Sequence, residues 1–517
     1  MGILSAILLM PFIAMILVIL TPRGQDNVVR AIAAGFNFIA MVLSIKMFYD
    51  FLQLEPLARA KWQFVETIAW FPDAGISYIV GVDGLNAPMV LLAGILAFAA
   101  SVVSFSIKER VKEYYALALA SITGVLGIFM SLDLFFFILF YEMASVPMYF
   151  LLGIWGSVPK SGPRKVSIEY AATKLILYLQ LAGGLAFFGI LALYFNVPVT
   201  LENGQIGHTF DLRVLMEVLK GNPLPHAVQM WLFPLMFLAF AVEGGFFPFH
   251  TWLPDGHSSA PTALSMLLAG VLLKMGSYGV LRLAIGPMHE GAVAWMPFLM
   301  VFAVINVVYG ALCALKQVDI KYLIAYSSVS HMGVVFLGLG TIALGASDVM
   351  GIEGAVFQMF SHGIVTAMLF ALAGYIYEKT HTRNIEEMGG LAFKMPFLAA
   401  TFAMAGLASL GLPGLSGFVA EMLVFFGLYG QSHTMTIITV LALVVTATYI
   451  LRCVQKIFFG PMPEKYHHVH DAVGFEKVGP VLLGLTALIV GICPSILLNA
   501  MHPSVVSLLA TFGGIQQ

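Results

Sequence analysis

The chain has 517 residues, of which 60% are hydrophobic and only 10% are charged. A water-soluble globular protein does not carry this composition, so the sequence predicts a protein embedded in a lipid bilayer. The formal net charge of -2 gives no indication of a nucleic-acid partner. The cysteines Cys313, Cys453 and Cys493 lie far apart, without the CxxC or Cys/His spacing typical of zinc or iron–sulfur sites.

Apolar runs long enough to cross a hydrocarbon core of about 30 Å occur along the whole chain. They predict an all-α polytopic membrane protein with about 14 transmembrane helices. We number the runs span 1 to span 14, and they lie near residues 3–21, 30–51, 85–107, 114–131, 132–156, 171–196, 228–250, 261–285, 291–315, 319–345, 353–377, 395–428, 433–459 and 478–498.

Basic residues indicate how the spans are oriented. The loops after odd-numbered spans carry most of the 25 Lys and Arg residues, including those between Lys108 and Lys112 and between Lys160 and Lys165. The positive-inside rule places these loops in the cytoplasm. Both termini are therefore expected on the outer side of the membrane.

Two predicted spans contain residues that break helices. Span 7 carries Gly244, Gly245 and Pro248, and span 12 carries the run SLGLPGLSG around Pro413. A proline inside a membrane helix frees a backbone carbonyl, which is tolerated only against protein or a water-filled cavity. Kinks that serve packing alone are the alternative explanation, and two breaks in corresponding positions count against it.

The two breaks stand five spans apart, and an odd displacement reverses the direction of the chain through the membrane. The sequence therefore predicts two inverted five-helix repeats, spans 4–8 and 9–13, with broken helices 7 and 12. The expected division is residues 1–112 for spans 1–3, 113–286 for the first repeat, 287–460 for the second, and 461–517 for a loop and span 14.

Titratable side chains occur at membrane depth, where an isolated charge costs about 2.5–3.5 kcal/mol on insertion scales. Such a cost predicts that these groups face one another and are paired, neutralised or hydrated. Carboxylates, lysines and imidazoles in contact can pass protons along a chain. The candidate proton-relay residues are Glu142, Lys174, Glu243, Lys274, His331, His362 and Glu421.

Simpler roles remain open for several of these residues. Glu142 could be a neutral acid bonded to backbone, and Lys174 could extend to the nearby membrane surface. His331 and His362 could each be core histidines, or could together ligate haem.

Sites of other kinds have little support in the sequence. A metal could bind the short cluster of His467, His468 and His470, although such a cluster is more typical of a solvated loop. No GxGxxG or P-loop motif occurs in the context that nucleotide binding needs. We therefore expect no cofactor, metal or redox active site in this chain.

Five segments carry a resemblance to a known family: FYEMASVPMYFLLGIWG, PFHTWLPDGHSSAPTALSMLLAGVLLKMGSYGVLRL, KQVDIKYLIAYSSVSHMG, SHGIVTAMLFALAGYIYEKTHTR and ASLGLPGLSGFVAEML. They resemble the antiporter-like membrane subunits of respiratory complex I, the proton-translocating NADH:quinone oxidoreductase. The resemblance covers essentially the whole chain. Within that family the chain is most similar to the M-type (chain 4) subunits, because Glu421 follows GLPGLSGF where the L and N types carry lysine. The short sequence after span 14, where an L-type subunit continues into a long lateral helix, agrees with this assignment.

The resemblance implies roles for individual residues. Glu142 is similar to the span-5 carboxylate of the family, Lys274 to its central lysine and Glu421 to its outlet carboxylate, and His331 and His362 lie on the polar axis between them. The family's function implies that protons move through this chain, driven by redox chemistry in other subunits.

The same resemblance implies partners and a location. The expected partners are other complex I membrane subunits, including L- and N-type chains, with NAD, FMN, iron–sulfur clusters and quinone bound in partner subunits. The expected location is the bacterial cytoplasmic (inner) membrane, with both termini periplasmic. Multisubunit cation/proton antiporters and membrane-bound hydrogenases share the motifs and stay as alternatives.

Span 7 departs from the family pattern. The family usually has a lysine where this sequence has Glu243, followed here by Gly244 and Gly245. If Glu142 and Glu243 are neighbours, both cannot readily be ionised in a low-dielectric interior, so they are expected to titrate as a coupled pair. Lys174 is the nearest candidate to compensate their charge.

Overall fold

The structure is a computed structural model that describes residues 2–158, 166–200, 206–344 and 349–512. The basic residues between Lys160 and Lys165 lie outside the described residues. Within the described residues, 13 helices are long and apolar enough to cross a membrane. These helices are Ile3–Leu20, Asp26–Leu52, Ala87–Ser106, Val111–Met130, Leu134–Trp155, Ile168–Asn196, His226–Glu243, Thr262–Ile285, His289–Lys316, Ile320–Gly340, Met350–Thr380, His433–Phe458 and Gly474–Ile492.

Span 12 is the remaining predicted crossing, and it consists of two half-helices, Pro396–Ser409 and Ser416–Tyr429. Counted with the 13 continuous helices, it completes the predicted set of about 14. The prediction of an all-α polytopic membrane protein is confirmed. The division into units at residues 112, 286 and 460 stays a prediction.

The break in span 7 comes earlier than the predicted run of residues 228–250 suggested. The helix ends at Glu243, and Gly245 adopts a left-handed conformation with φ of +72°. The chain then forms a short helix, Trp252–Ser259, before span 8 begins. Carbonyls at the break are satisfied by side chains: Asn306 Nδ2 donates to Gly245 O at 3.3 Å, and Trp252 Nε1 donates to Val242 O at 3.0 Å.

Span 8 is not a uniform α-helix. It contains two π-helical stretches, Leu268–Leu272 and Val280–Ile285, on either side of the segment that carries Lys274. Each π-turn widens the helix and shifts the usual hydrogen-bond pattern, so carbonyls become accessible to side chains. The sequence pattern did not predict these stretches.

Extramembrane segments contain structure that was also not predicted. Strands Gln63–Phe71 and Ile76–Val82 pair as an antiparallel hairpin, and a smaller pair joins Val199–Thr200 to Ile206–Gly207. The other elements outside the spans are helices Pro56–Arg59, Leu212–Gly221 and Ser495–Ala510, and 3₁₀ turns Pro72–Ala74, Phe249–Thr251, Thr341–Leu344, Ile385–Glu387, Leu391–Phe393 and Glu464–Tyr466.

The spans differ greatly in burial, and the most buried ones form the centre of the protein. The most apolar stretches of spans 8 and 11 are 100% buried and that of span 10 is 94% buried, whereas spans 2 and 13 are 33% buried. Small residues allow close approach of these central helices. A Cβ on Gly310 of span 9, for example, would lie 2.6 Å from the Ser330 backbone nitrogen of span 10.

Candidate functional site

The centre of the site is Lys274, whose side chain is completely buried in span 8. Its ammonium donates to His362 Nδ1 of span 11 at 2.6 Å. It also donates to the carbonyl of Ala269, which lies in the first π-helical stretch of the same span. The π-turn therefore supplies an oxygen ligand to a lysine that forms no ion pair with a carboxylate among the described residues.

The imidazole rings of His362 and His331 lie between Lys274 and span 12. The ring centroids of His362 and His331 are 5.6 Å apart. His362 Nε2 has no hydrogen-bond partner among the described residues. A cavity of about 10 Å³, close to the volume that one water molecule needs, is lined by both histidines, Gln358, Ser409 and Glu421.

Glu421 ends this chain of contacts. Its Oε1 lies 3.1 Å from His331 Nδ1, and both side chains are buried. The carboxyl group sits against the break in span 12, where a Cβ on Gly411 would come within 2.9 Å of Glu421 Oε2. Gly411 has φ of +77°, which favours glycine. The broken helix thus makes room for the carboxyl group.

These four side chains, which we name the central relay, are Lys274, His362, His331 and Glu421. A neutral imidazole accepts a proton on one nitrogen and releases another proton from the other nitrogen, so it can carry protons without moving far. The nitrogens that contact Lys274 and Glu421 are engaged with protein groups. This arrangement favours proton transfer over haem ligation by His331 and His362.

The glutamates of spans 5 and 7 lie outside this relay. Glu243 is fully buried and neither of its oxygens has a hydrogen-bond partner among the described residues. Glu142, in contrast, is only partly buried. Glu142 Oε2 accepts a hydrogen bond from Gln180 Nε2 at 2.7 Å.

Lys174 does not pair with either of these glutamates. Its ammonium lies 2.7 Å from Asp255 Oδ2, and both side chains are largely buried. The expectation that Lys174 compensates the charge of Glu142 and Glu243 is therefore wrong. It also does not extend to the membrane surface as a free cation.

Sequence reasoning missed Asp255 and a set of polar residues around it, because the segment WLPDGHSSAP reads as a loop. In the structure this segment is a buried helix. Asp255 Oδ1 accepts from the Tyr322 hydroxyl at 3.1 Å, and Lys321 Nζ donates to Ala260 O at 2.6 Å. The only sequence signal was an acidic residue beside a predicted break.

His257 was missed for the same reason. It is fully buried, its ring stacks on Phe370 with centroids 4.9 Å apart, and its nitrogens have no partner among the described residues. Lys321 and Lys274 both act on it electrostatically. It therefore packs the Asp255 segment against span 11.

A buried ion pair lies at the C-terminal end of span 8. Arg282 binds Asp83, which follows the first hairpin, and its guanidinium lies 4.6 Å from the centroid of the Trp62 ring. The pair joins the hairpin to the second π-helical stretch.

His467, His468 and His470 lie in the connection between spans 13 and 14. No group of three or more His, Cys, Asp or Glu residues able to hold a metal ion occurs in the described part of the chain. The side chains of His467, His468 and His470 are exposed, which agrees with the solvated-loop interpretation.

Comparison with known proteins places this fold and site in a family. Residues 131–447 match the model of the family described as NADH:quinone oxidoreductase/Mrp antiporter, transmembrane. The chain belongs to this family. The matched range contains all seven candidate proton-relay residues.

Individual family members are similar over nearly the whole chain. Subunit M of the NADH-quinone oxidoreductase of Rickettsia prowazekii is 35% identical over 513 residues, covering 99% of both chains. Chain 4 of an NAD(P)H-quinone oxidoreductase of Microcystis aeruginosa is 38% identical over 470 residues, 88% of this chain and 79% of that one.

A solved structure shows the same similarity. A chain of respiratory complex I from Thermus thermophilus with bound NADH superposes with a TM-score of 0.85 at 28% identity, covering 99% of this chain and 100% of that chain. The prediction that the chain is an antiporter-like subunit of the complex I type is confirmed.

Proposed function

We propose that this chain moves protons across the membrane as an M-type (chain 4) subunit of respiratory complex I. The relatives named chain 4 and subunit M support this assignment. The single observation that carries the mechanism is the 2.6 Å contact between Lys274 Nζ and His362 Nδ1 in a fully buried setting. A desolvated lysine in contact with a neutral imidazole can release its proton to that imidazole.

The central relay gives the order of the transfers. Lys274 stores a proton and releases it to His362 Nδ1, and His362 releases its Nε2 proton toward His331. The adjoining cavity of about 10 Å³ has room for one water, which would bridge the two rings. His331 Nδ1 then passes a proton to Glu421 Oε1 across 3.1 Å.

Energy for this transport comes from outside the chain. Moving one charge against the membrane potential costs about 2.3 kcal/mol per 100 mV. Redox chemistry in partner subunits, which hold NAD, FMN, iron–sulfur clusters and quinone, supplies that energy, and no redox active site belongs to this chain. The partners are other complex I membrane subunits, including L- and N-type chains. The location is the bacterial inner membrane, with periplasmic termini.

The direct test is Lys274→Ala in the assembled complex reconstituted in vesicles. NADH-driven proton transport is expected to fall roughly tenfold or more, a common loss when a positioned acid–base group is removed. The matched control is Lys46→Ala, which removes an exposed lysine paired with Asp50 on span 2. Unchanged proton transport in Lys274→Ala would favour a structural spacer over a proton relay.

A multisubunit cation/proton antiporter or a membrane-bound hydrogenase is the second candidate, since the family description itself includes Mrp antiporters. Purification of the native complex separates the candidates. A quinone-reducing peripheral arm among the co-purified subunits supports complex I, and its absence supports the alternative.

A further inference from the structure

His331 has a different polar group beside each of its two ring nitrogens. Its Nδ1 lies 3.1 Å from Glu421 Oε1, and its Nε2 lies 3.2 Å from the hydroxyl oxygen of Ser409. All three residues are at most 5% exposed. The transfer from His331 to Glu421 uses only the contact at Nδ1. A neutral imidazole that releases a proton from Nδ1 has to receive one at Nε2, and Ser409 is the group that lies there.

The break in span 12 places these two groups beside the same ring. Ser409 is the last residue of the first half-helix, and Glu421 lies in the second. In a continuous α-helix the two residues would be about 18 Å apart along the axis, at about 1.5 Å per residue. The half-helices instead meet closely at the break, since a Cβ on Gly417 would clash with the carbonyl oxygen of Ala408. The break therefore lets one span contact both nitrogens of His331.

The hydroxyl group of Ser409 is bonded differently from several other buried hydroxyls of the spans. Ser44, Ser101 and Ser145 each donate to the backbone carbonyl four residues earlier, which is a common local partner for serine in a helix. Among the described residues, the hydrogen-bond partner of the Ser409 hydroxyl is His331 Nε2. Its hydrogen can therefore point at the imidazole while its oxygen accepts from another donor.

The same hydroxyl borders the cavity between the two imidazoles. Ser409, His331 and His362 all line this cavity of about 10 Å³, which has room for one water. His362 Nε2 has no hydrogen-bond partner among the described residues. A water in the cavity would accept a hydrogen bond from His362 Nε2 and donate one to the Ser409 oxygen. The hydroxyl would then connect that water to His331 Nε2.

We propose that the Ser409 hydroxyl is a proton-transfer group of the central relay and delivers the proton to His331 Nε2. This role rests on the proposed function, because it is one step of the same proton transport. The contacts that carry it are those of the Ser409 hydroxyl with His331 Nε2 and with the cavity beside His362.

The transfer leaves Ser409 chemically unchanged. Its O–H bond breaks as the Nε2–H bond of His331 forms, and its oxygen takes a proton from the water, which takes one from His362 Nε2. His331 releases its Nδ1 proton to Glu421 Oε1. One proton has then moved from His362 to Glu421. A turn of the ring and of the hydroxyl restores the starting arrangement before the next transfer.

Gln358 does not set the direction of this transfer. Its Nε2 lies 3.4 Å from His331 Nδ1, the nitrogen that also faces Glu421. An amide carries donors on its nitrogen and an acceptor on its oxygen, so a half-turn of the amide suits either protonation state of Nδ1. Ser409 lies at the other nitrogen, where the proton enters. Removal of the Ser409 hydroxyl is therefore expected to interrupt the path.

Two substitutions of similar shape test the hydroxyl. Threonine and valine are both β-branched, but Ser409→Thr keeps the hydroxyl and Ser409→Val removes it. In the assembled complex reconstituted in vesicles, NADH-driven proton transport is expected to stay near the wild-type rate in Ser409→Thr and to fall roughly tenfold or more in Ser409→Val. The control is Thr439→Val, which removes a buried hydroxyl that donates to the Met435 carbonyl at 2.7 Å. It is expected to transport protons like wild type.

The solvent isotope effect separates slow proton transfer from a packing defect. The ratio of the transport rates in H₂O and D₂O is expected to be higher in Ser409→Val than in wild type. A loss of assembled complex lowers both rates and leaves this ratio unchanged. Equal transport in Ser409→Thr and Ser409→Val, or a loss in Ser409→Val with the wild-type ratio, would overturn the proposal.

A smaller side chain tests the proposal if neither of these variants assembles. Ser409→Ala adds no bulk, and it is expected to show the same loss of transport and the same rise in the isotope ratio. Wild-type transport in Ser409→Ala would contradict the proposal.

Failure of the proposed function gives a different result. Reduced transport in Lys274→Ala together with equal transport in the two β-branched variants would keep the proton relay but remove Ser409 from it. Wild-type transport in Lys274→Ala and in every Ser409 variant would contradict the proposed function itself.

Discussion

The breaks in span 7 and span 12 each lie beside a buried glutamate, but the two glutamates have different surroundings. Glu421 lies 3.1 Å from His331, whereas Glu243 has no hydrogen-bond partner in the described part of the chain. A broken helix provides room for a carboxyl group at membrane depth. The side chains next to the carboxyl group then determine whether it has a neighbour with which it can exchange a proton.

The largest effect is expected when the carboxyl group of the span 12 glutamate is replaced by an amide. Glu421→Gln keeps the shape of the side chain but removes the proton acceptor beside His331 Nδ1. NADH-driven proton transport in reconstituted vesicles is expected to fall roughly tenfold or more. Glu217→Gln serves as the control, because Glu217 is 78% exposed. Equal proton transport in both variants would show that Glu421 does not take part in the relay.

A second effect concerns stability near the span 7 break. Asp255→Asn leaves the Lys174 ammonium without its carboxylate, and breaking a buried pair in this way costs about 3 kcal/mol or more. The apparent melting temperature of the purified complex is expected to fall. Lys174→Met combined with Asp255→Asn removes both charges and is expected to recover most of the loss. A double variant as unstable as Asp255→Asn alone would show that the pair is not a buried ion pair.

Substitutions of two glycines at the span 12 break distinguish the effect of backbone strain from a direct effect on Glu421. Gly411→Ala and Gly414→Ala both place a side chain at positive φ, +77° and +92°, at a cost of roughly 1–2 kcal/mol each. Only Gly411→Ala also brings a Cβ within 2.9 Å of Glu421, since nothing lies within 4 Å of a Cβ at Gly414. Proton transport is therefore expected to fall in Gly411→Ala alone. Equal losses of transport would assign the effect to the backbone.

The smallest effect is a pH dependence at the first hairpin. Glu66 accepts hydrogen bonds from the backbone nitrogens of Gly2, Leu4 and Ser5 at the start of span 1. Partial burial raises the pKa of its carboxyl group, but the bonds from Ser5, Gly2 and Leu4 outweigh burial and lower the pKa from 4.5. A lowered folded-state pKa gives stability that is present above 4.5 and lost as the pH falls through the folded pKa.

Hydrogen exchange at the first residues of span 1 measures this contact. Exchange is expected to speed up as the pH falls below 4.5, after correction for intrinsic rates, and Glu66→Gln is expected to remove that dependence. An unchanged pH profile in Glu66→Gln would mean that Glu66 does not hold the start of the helix.

The fold was predictable to the extent that hydrophobic runs determine it. Length and hydropathy predicted the membrane helices, and glycine and proline predicted both breaks. The strands Gln63–Phe71 and Ile76–Val82 were missed, because a short hairpin has no apolar run long enough to be recognised as a span. The terminal helix Ser495–Ala510 was also missed, since span 14 was predicted to run to residue 498 without a stop at Pro494.

The candidate site was predictable as a set of residues but not as a set of contacts. Titratable groups in apolar runs stand out because burial is costly for them. Their partners depend on the rotation and packing of helices far apart in sequence: Lys274 and His362 are 88 residues apart. The same cause explains the wrong partner for Lys174, since the burial of Asp255 follows from the tertiary packing of a segment that reads as a loop. The transport roles of the relay residues stay predictions.

Proton stoichiometry in a His362→Met complex tests the central relay most directly. Methionine fills a similar volume, but it cannot accept the proton of Lys274 at the 2.6 Å contact. Met359→Leu on the same span is the control. We predict fewer protons transported per NADH oxidised in His362→Met and an unchanged ratio in Met359→Leu. The same ratio in both variants and wild type would contradict transport through Lys274, His362, His331 and Glu421.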